Sequence, residues 1–556
     1  MSWIQVYDPL ASPWLSTAAA ALPIVLLLAA LGLLEWRAHR AALLGLVSAL
    51  AVSVFVFGMP VATAAATAAY GAAYGLLPIG WIVVTAVFLY NLTVETGQFE
   101  ILKSSVGRLS ADRRIQALLV AFSFGAFIEG ASGFGTPVAI CSALLIGLGF
   151  TPLYAAGLSL IANTAPVAFG AIGTPILTLA AVTEIPAQTL GAMAGRQLPF
   201  VSLLVPAWLV ATMSGWRGLR SVWPAVLVCG GTFAVVQYLW SNFVGVELVD
   251  IAGGLASIAA LAAFCRVWQP KDQWEDPAVA SGQASAFAAP SGAVARAWMP
   301  WVFLSAAVIV WGLAPVKATL NQGPLAPSWE VPRLHRTVFR DYPVVPAAVD
   351  PARIEEPAYR NQRAEAARFT LNWASATGTA ILLAAIASAV YLRVAPVRFF
   401  AVAAATLRRM RTSVITIMLM LSLGFVTRYG GTDATLGLAF TKTGWLYPFF
   451  ATMLGWLGVA LTGSDTSSNV LFGSLQKITA QQLGFNPVLI VTANSTGGVM
   501  GKMIDAQSIV VATASTGQVG QEGRILRFVF WHSLALVAIM GAIVMLQAYV
   551  FPWMIP

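Results

Sequence analysis

The chain is built from apolar blocks near membrane-spanning length, separated by short polar segments. The blocks fall at 17–34, 41–59, 79–94, 115–128, 138–150, 152–182, 198–214, 221–241, 250–265, 298–313, 371–392, 413–427, 445–462, 487–515 and 527–551. A bilayer core takes roughly 20 apolar residues per helical crossing. Any backbone inside it must satisfy its own hydrogen bonds, so such blocks read as helices. The composition agrees: 58% of residues are hydrophobic and 10% charged, and a soluble chain could not hide that much apolar surface. The expected fold is an all-α polytopic membrane protein with about twelve to fourteen transmembrane helices plus interrupted ones. The Ala/Gly/Thr-rich stretch at 60–77 is weakly apolar. Charge parity requires that one piece between 60 and 94 be broken or peripheral.

The net charge of +9 comes from basic clusters in short connections at 37–40, 103–114 and 393–411. Such clusters mark cytoplasmic loops, and they exclude nucleic acid as a partner. No basic segment precedes the first apolar block. Glu35, Arg37, His39 and Arg40 follow it, which predicts a retained span with an extracytoplasmic start. The chain then divides into a first membrane half (1–265), a cytoplasmic linker (266–297), a single span (298–314), an extracytoplasmic loop (315–370) and a second membrane half (371–556). Cys141, Cys229 and Cys265 show no metal-ligand spacing. His39, His335 and His532 have no triad or metal companion at sensible spacing. No metal, no cofactor and no enzyme activity are therefore expected.

The two halves echo each other. FIEGASGFGTPVAI (127–140) and IANTAPVAFGAIGTP (161–175) in the first correspond to ALTGSDTSSNVLFGSL (460–475) and TANSTGGVMGKMIDAQS (492–508) in the second. Each pair gives an apolar run, a Gly/Ser/Thr tip, a second apolar run and an Ala-Asn-Thr or Ala-Asn-Ser break. Interrupted backbone at membrane depth is tolerated only inside protein or beside a cavity. Paired interruptions point to a carrier's binding site, with an inverted repeat as the expected relation of the halves. Freed helix N-termini suit an anion.

Ionisable residues in such places are functional candidates. Glu129 sits at the first break and could load and release a proton; Asp465, at the equivalent place in the second half, either carries a proton or is held ionised by hydrogen bonds or a cation. Lys502 and Asp505 stand one helical turn apart. They form an internal pair, or Lys502 receives a substrate carboxylate while Asp505 carries a proton. Ser132, Gly133, Thr136, Asn163, Thr164, Ser467, Ser468, Asn494 and Ser495 are the small and hydrogen-bonding groups expected to hold the substrate. Arg428, with Tyr429, either forks onto the substrate carboxylate or anchors a span at the interface.

These residues carry a family likeness. AFSFGAFIEGASGFGTPVAI (121–140), TGTAILLAA (377–385), VTRYGGTDATLGLAF (426–440), LTGSDTSSNVLFGSLQ (461–476) and TANSTGGVMGKMIDAQSIVVA (492–512) resemble the bacterial L-lactate permease family, which includes glycolate permeases. The resemblance implies a secondary carrier in the inner membrane that imports a small 2-hydroxymonocarboxylate (L-lactate, D-lactate or glycolate) with a proton. Sodium is the alternative coupling ion, and a channel for small organic anions the more distant alternative. The chain also looks like a wider ion-transporter superfamily, whose members move a transport domain against a scaffold. That likeness implies elevator movement and a homodimer, for which these residues show no interface of their own.

Overall fold

The computed structural model describes residues 2–32, 34, 36–107, 110, 112–133, 135–272, 291–345, 347–518 and 521–556. Glu35, Arg108 and most of the linker lie outside the described residues. Long runs of apolar residues without a polar stripe favour helices buried in lipid and against one another. Helices dominate accordingly, from Pro13–Gly32 to Glu522–Tyr549.

Ten helices among the described residues are long and apolar enough to cross a membrane, or eleven if one bent pair counts as a span. The expected twelve to fourteen rests on counting blocks. Blocks 198–214 and 221–241 lie in one 57-residue helix, Ala187–Phe243. At 1.5 Å per residue it is about 85 Å long, enough for two crossings. It leaves helical geometry at Gly215, where φ is 68° and ψ is −174°. Other blocks are shorter helices, such as Thr136–Gly147 and Thr377–Leu392. The stretch 60–94 is broken as expected: Leu77 (φ −135°, ψ 124°) and Pro78 interrupt it between Val61–Tyr74 and Trp81–Glu95.

Two groups of helices can be traced. In the first, Pro396–Gly430 packs on Ala38–Ala51, Val61–Tyr74 and Trp81–Glu95. In the second, Tyr447–Thr462 packs along Pro487–Gly501, and Ala187–Phe243 along Val249–Val267. Without a hydrophobic drive between helices in lipid, close approach at small residues supplies the adhesion. A Cβ at Gly455 would lie 1.9 Å from the Asn494 carbonyl oxygen, and one at Gly497 would lie 2.3 Å from that of Thr452. Gly455→Ala is therefore expected to destabilise the protein by about 1–3 kcal/mol or more. Gly231→Ala, where an added methyl would meet nothing within 4 Å, is the control. Equal thermal unfolding midpoints in detergent would contradict this packing.

Outside the spans, Trp3–Ile4 pairs in parallel with Val338–Phe339, and Ser328–Glu330 pairs antiparallel with Arg368–Thr370. Phe339, Val349, Tyr359 and Ala364 form a small core with Ile4 packed against it. The N-terminal arm and the 315–370 insert thus lie on one side of the membrane.

Candidate functional site

The first hairpin is Arg113–Ala131 followed by Thr136–Gly147. Its tip turns through Gly133 (φ 58°) and Gly135 (φ 78°), left-handed positions that a side chain would strain. Glu129 stands in the last turn before the tip and is 4% exposed. A Cβ at Gly170 would come within 2.5 Å of its Oε1, so only glycine admits the carboxylate there. After Gly170 the backbone is left-handed at Ala171, Ile172 and Gly173. Gly173 is pressed against the Val246 carbonyl, where a Cβ would lie 2.6 Å away. Pro152–Ala162 and Val167–Thr183 meet at 63°. Asn163 stands at that bend. Its buried amide has no hydrogen-bond partner among the described residues and faces Glu129 outside good hydrogen-bond geometry.

The second hairpin is Tyr447–Thr462 followed by Asp465–Leu483. Gly463 (φ 71°) ends the first helix, and Ser464 caps the second by accepting from the Ser467 N–H at 3.2 Å. Asp465 Oδ2 accepts from the Ser495 hydroxyl at 2.5 Å and from Asn469 at 3.3 Å. Its Oδ1 has no partner among the described residues. Lys502, 5% exposed, donates to the Gly463 carbonyl at 2.7 Å and pairs with Asp505 Oδ2 at 3.2 Å. Asp505 Oδ1 in turn caps Ala506–Ser515 by accepting from the Ser508 N–H at 2.7 Å.

The two halves meet around Lys502. Its ammonium is an electrostatic neighbour of both Glu129 and Asp465. A Cβ at Gly135 would lie 3.8 Å from Val511, and Asn469 donates to the Pro175 carbonyl at 3.2 Å. One buried ammonium thus serves three buried carboxyls: Glu129, Asp465 and Asp505. With all three ionised the cluster would carry excess negative charge in a medium that tolerates little of it. Such a cluster can take up a proton together with a bound anion.

Other expected residues are placed differently. The Ala-Asn-Ser motif is not a break: Asn494 and Ser495 lie inside Pro487–Gly501, and the interruption comes at Lys502–Asp505. Its small residues serve close packing against Tyr447–Thr462 instead. Asn494 is held on both sides, donating to Asn469 Oδ1 at 2.9 Å and accepting from Gln476 at 3.0 Å. Ser495 keeps a place at the site through Asp465. Ser468 donates to the Gly455 carbonyl at 3.1 Å, Ser132 to that of Ile128 at 3.1 Å, and Thr164 to that of Ile161 at 2.5 Å. Thr136 and Ser467 start the second helix of each hairpin.

Arg428 and Tyr429 lie elsewhere. The Arg428 guanidinium pairs with Glu184 at 2.6 Å and Glu365 at 2.8 Å. Glu184 follows Gly170–Thr183, whose other end meets Glu129 at Gly170, so Arg428 and Glu129 lie at opposite ends of that segment. A buried guanidinium must find carboxylates, and here the insert supplies one. Tyr429 donates to the Ala366 carbonyl at 3.3 Å, and Gln5 of the N-terminal arm donates to the Arg428 and Tyr429 carbonyls. This pair docks the insert and the arm. Asp250, at the start of block 250–265, is not among the sequence candidates because an acid at a span end reads as interfacial. It is fully buried beside Gly130.

The insert's attachment should depend on pH. Burial disfavours the ionised form of Glu365, but Arg428 and Arg340 outweigh it and hold the carboxyl below its ordinary value. The stabilisation is then fully present above the ordinary value, about 4.5. It is lost as pH falls through the lowered native value. Hydrogen exchange across 336–366 is expected to rise sharply only at acid pH. In Glu365→Gln it should be raised already at neutral pH, and equal exchange in the two proteins at pH 7 would contradict the docking role.

A family model described as L-lactate permease matches residues 16–551. The chain is 47% identical over 575 residues to the glycolate permease GlcA of Escherichia coli (strain K12), covering 100% of both. It is 47% identical over 562 residues to the L-lactate permease of the same strain, and 46% identical over 572 residues to the L-lactate permease of Bacillus subtilis (strain 168). Both of these alignments also cover 100% of each chain.

Proposed function

The chain belongs to the L-lactate permease family of membrane transporters, and from that premise we propose that it imports L-lactate, D-lactate and glycolate by proton symport. The observation that carries the coupling is the excess of buried carboxyls around Lys502. A substrate anion adds one more negative charge to that cluster. Entry of a proton with it, onto Glu129, Asp465 or Asp505, offsets the charge during the crossing.

The substrate carboxylate takes Lys502 and the unpartnered Asn163 amide as donors. Its hydroxyl turns to the hydroxyl-lined second tip, at Ser464 or Ser495. The interrupted hairpins move with Ala187–Phe243 as the transport domain, against a scaffold organised by Pro396–Gly430. The inverted repeat, the elevator movement, the homodimer and the extracytoplasmic N-terminus in the inner membrane belong to the same proposal, and the resemblance supports them.

Sodium is the second reading, favoured by the unpartnered Asp465 Oδ1 amid hydroxyls. Against it, the Gly463 carbonyl, an oxygen that a cation would need, already accepts from Lys502.

The test is uptake of labelled L-lactate into proteoliposomes under a proton gradient or a sodium gradient, each imposed alone. Accumulation under the inward proton gradient is expected, competed by D-lactate and glycolate and poorly by propionate, which lacks the hydroxyl. Accumulation with sodium alone would overturn the coupling. None under either gradient, in verified folded protein, would overturn the substrate.

A further inference from the structure

Resting on the proton-symport reading above, we propose that Asp250 is a second proton-holding carboxyl, sharing one proton with Glu129. Asp250 lies in the first turn of Val249–Val267 and is 0% exposed. Neither of its carboxyl oxygens has a hydrogen-bond partner among the described residues, and Glu129 Oε2 has none either. The two residues flank Gly130. A Cβ there would lie 2.8 Å from Asp250 Cβ and 2.9 Å from the Ile251 nitrogen, so glycine is what lets the tip of the first hairpin close onto this helix.

The charges around Asp250 leave Glu129 as the group it answers to. On Ala187–Phe243, packed behind, Arg196 turns to Asn242 and the Met554 carbonyl. On Arg113–Ala131, Arg114 is held by Asp112 and Asp272. Glu247, just before the turn, accepts from the Val246 N–H. Beyond Glu129 stand Lys502 and Asp505, already paired. No cation faces Asp250 among these groups.

Two neighbouring buried carboxyls are costly to ionise together, so a proton that enters the pair is held by both and the pair titrates as a unit, releasing it when the empty site returns. The transfer balances simply. The O–H bond at Glu129 breaks as one forms at Asp250, the negative charge moves the opposite way, and no electron is exchanged. When substrate and proton enter together, the proton settles on this pair while Lys502 takes the anion. Asp250 thus lets the site stay protonated without fixing the proton on the residue nearest the substrate.

The experiment compares wild type, Asp250→Asn and Asp250→Glu in proteoliposomes, by pH-dependent uptake and by lactate exchange. Exchange reports folded, binding-competent protein. In Asp250→Asn the alkaline fall-off of proton-driven uptake is expected to move to lower pH by about one unit or more, because the repelling neighbour is gone. Exchange should persist, and Asp250→Glu should restore the profile. An unmoved profile with intact exchange overturns the shared proton.

Infrared spectroscopy decides the case independently of transport. The C=O stretch of the protonated carboxyl should weaken in Asp250→Asn and shift in Glu129→Gln, where the proton is confined to Asp250. A band that Asp250→Asn leaves unaltered overturns the proposal. Failure of proton-driven uptake in wild type would instead overturn the transport reading, and the infrared band would still test the pair.

Discussion

Glu129→Gln is expected to abolish uphill uptake of L-lactate and to spare exchange. The carboxyl sits in the last helical turn before the first tip, against Gly170, with Lys502 and Asp505 as electrostatic neighbours. Gln has nearly the shape of a protonated Glu, so it mimics the loaded state and cannot unload. Net symport must return the empty, deprotonated site, whereas exchange never empties it. A gradient of one pH unit sustains about tenfold accumulation at one proton per substrate. The variant should reach an inside-to-outside ratio near one, with exchange rates close to wild type. Proteoliposomes with labelled lactate on one side or on both measure the two quantities. Uphill uptake at the wild-type level in Glu129→Gln would remove Glu129 from the coupling.

Lys502→Met should have the second large effect, and on two quantities at once. The ammonium is buried, bonded to the Gly463 carbonyl and paired with Asp505. Its removal leaves Asp505 as an uncompensated buried charge, at a cost of about 3–5 kcal/mol. It also removes the donor proposed for the substrate carboxylate, which should weaken binding by about 100-fold or more. A second substitution separates the two effects. In Lys502→Met with Asp505→Leu the ion pair is removed whole, and Glu129 and Asp465 can take up protons once their shared cation is gone, so the thermal midpoint should recover most of its loss. Some of it will stay lost, because Asp505 also caps Ala506–Ser515. Binding of L-lactate should not recover. Recovery of both in the double variant would reduce Lys502 to a structural ion pair.

The membrane character is legible in the sequence because lipid imposes one pattern, an apolar run long enough to cross. Both hairpin tips are legible for a related reason: left-handed turns at Gly133, Gly135 and Gly463 require glycine, and few other uses of glycine lie so close to a buried acid. What the sequence hides is the distinction between glycines that break a helix and glycines that let helices touch. Gly497 and Gly501 follow Asn494 much as a tip would, yet they press a continuous helix onto the Thr452 and Trp456 carbonyls. The same letters serve both purposes, and only the neighbour tells them apart.

Arg428 is misplaced by sequence reasoning for want of a partner. Its counter-ion Glu365 belongs to the insert, 63 residues earlier in the chain, and nothing local announces the pairing. Asp250 is hidden because an acid at the edge of an apolar block ordinarily meets water. Here the first hairpin closes over it. The helix count differs from the sequence estimate for a similar reason: blocks merge in the long helix Ala187–Phe243, whereas Thr136–Gly147, Pro487–Gly501 and Ala506–Ser515 are short helices of the interrupted elements.

The most direct measurement of the central claim is the external pH of a lightly buffered suspension of proteoliposomes when L-lactate is added without any imposed gradient. Symport predicts an immediate alkalinisation as protons enter with the substrate, with protons and labelled lactate taken up in equal amounts, and none in Glu129→Gln. Lactate entry with no change in external pH, in the same vesicles, would contradict proton coupling and the role given to the buried carboxyls around Lys502.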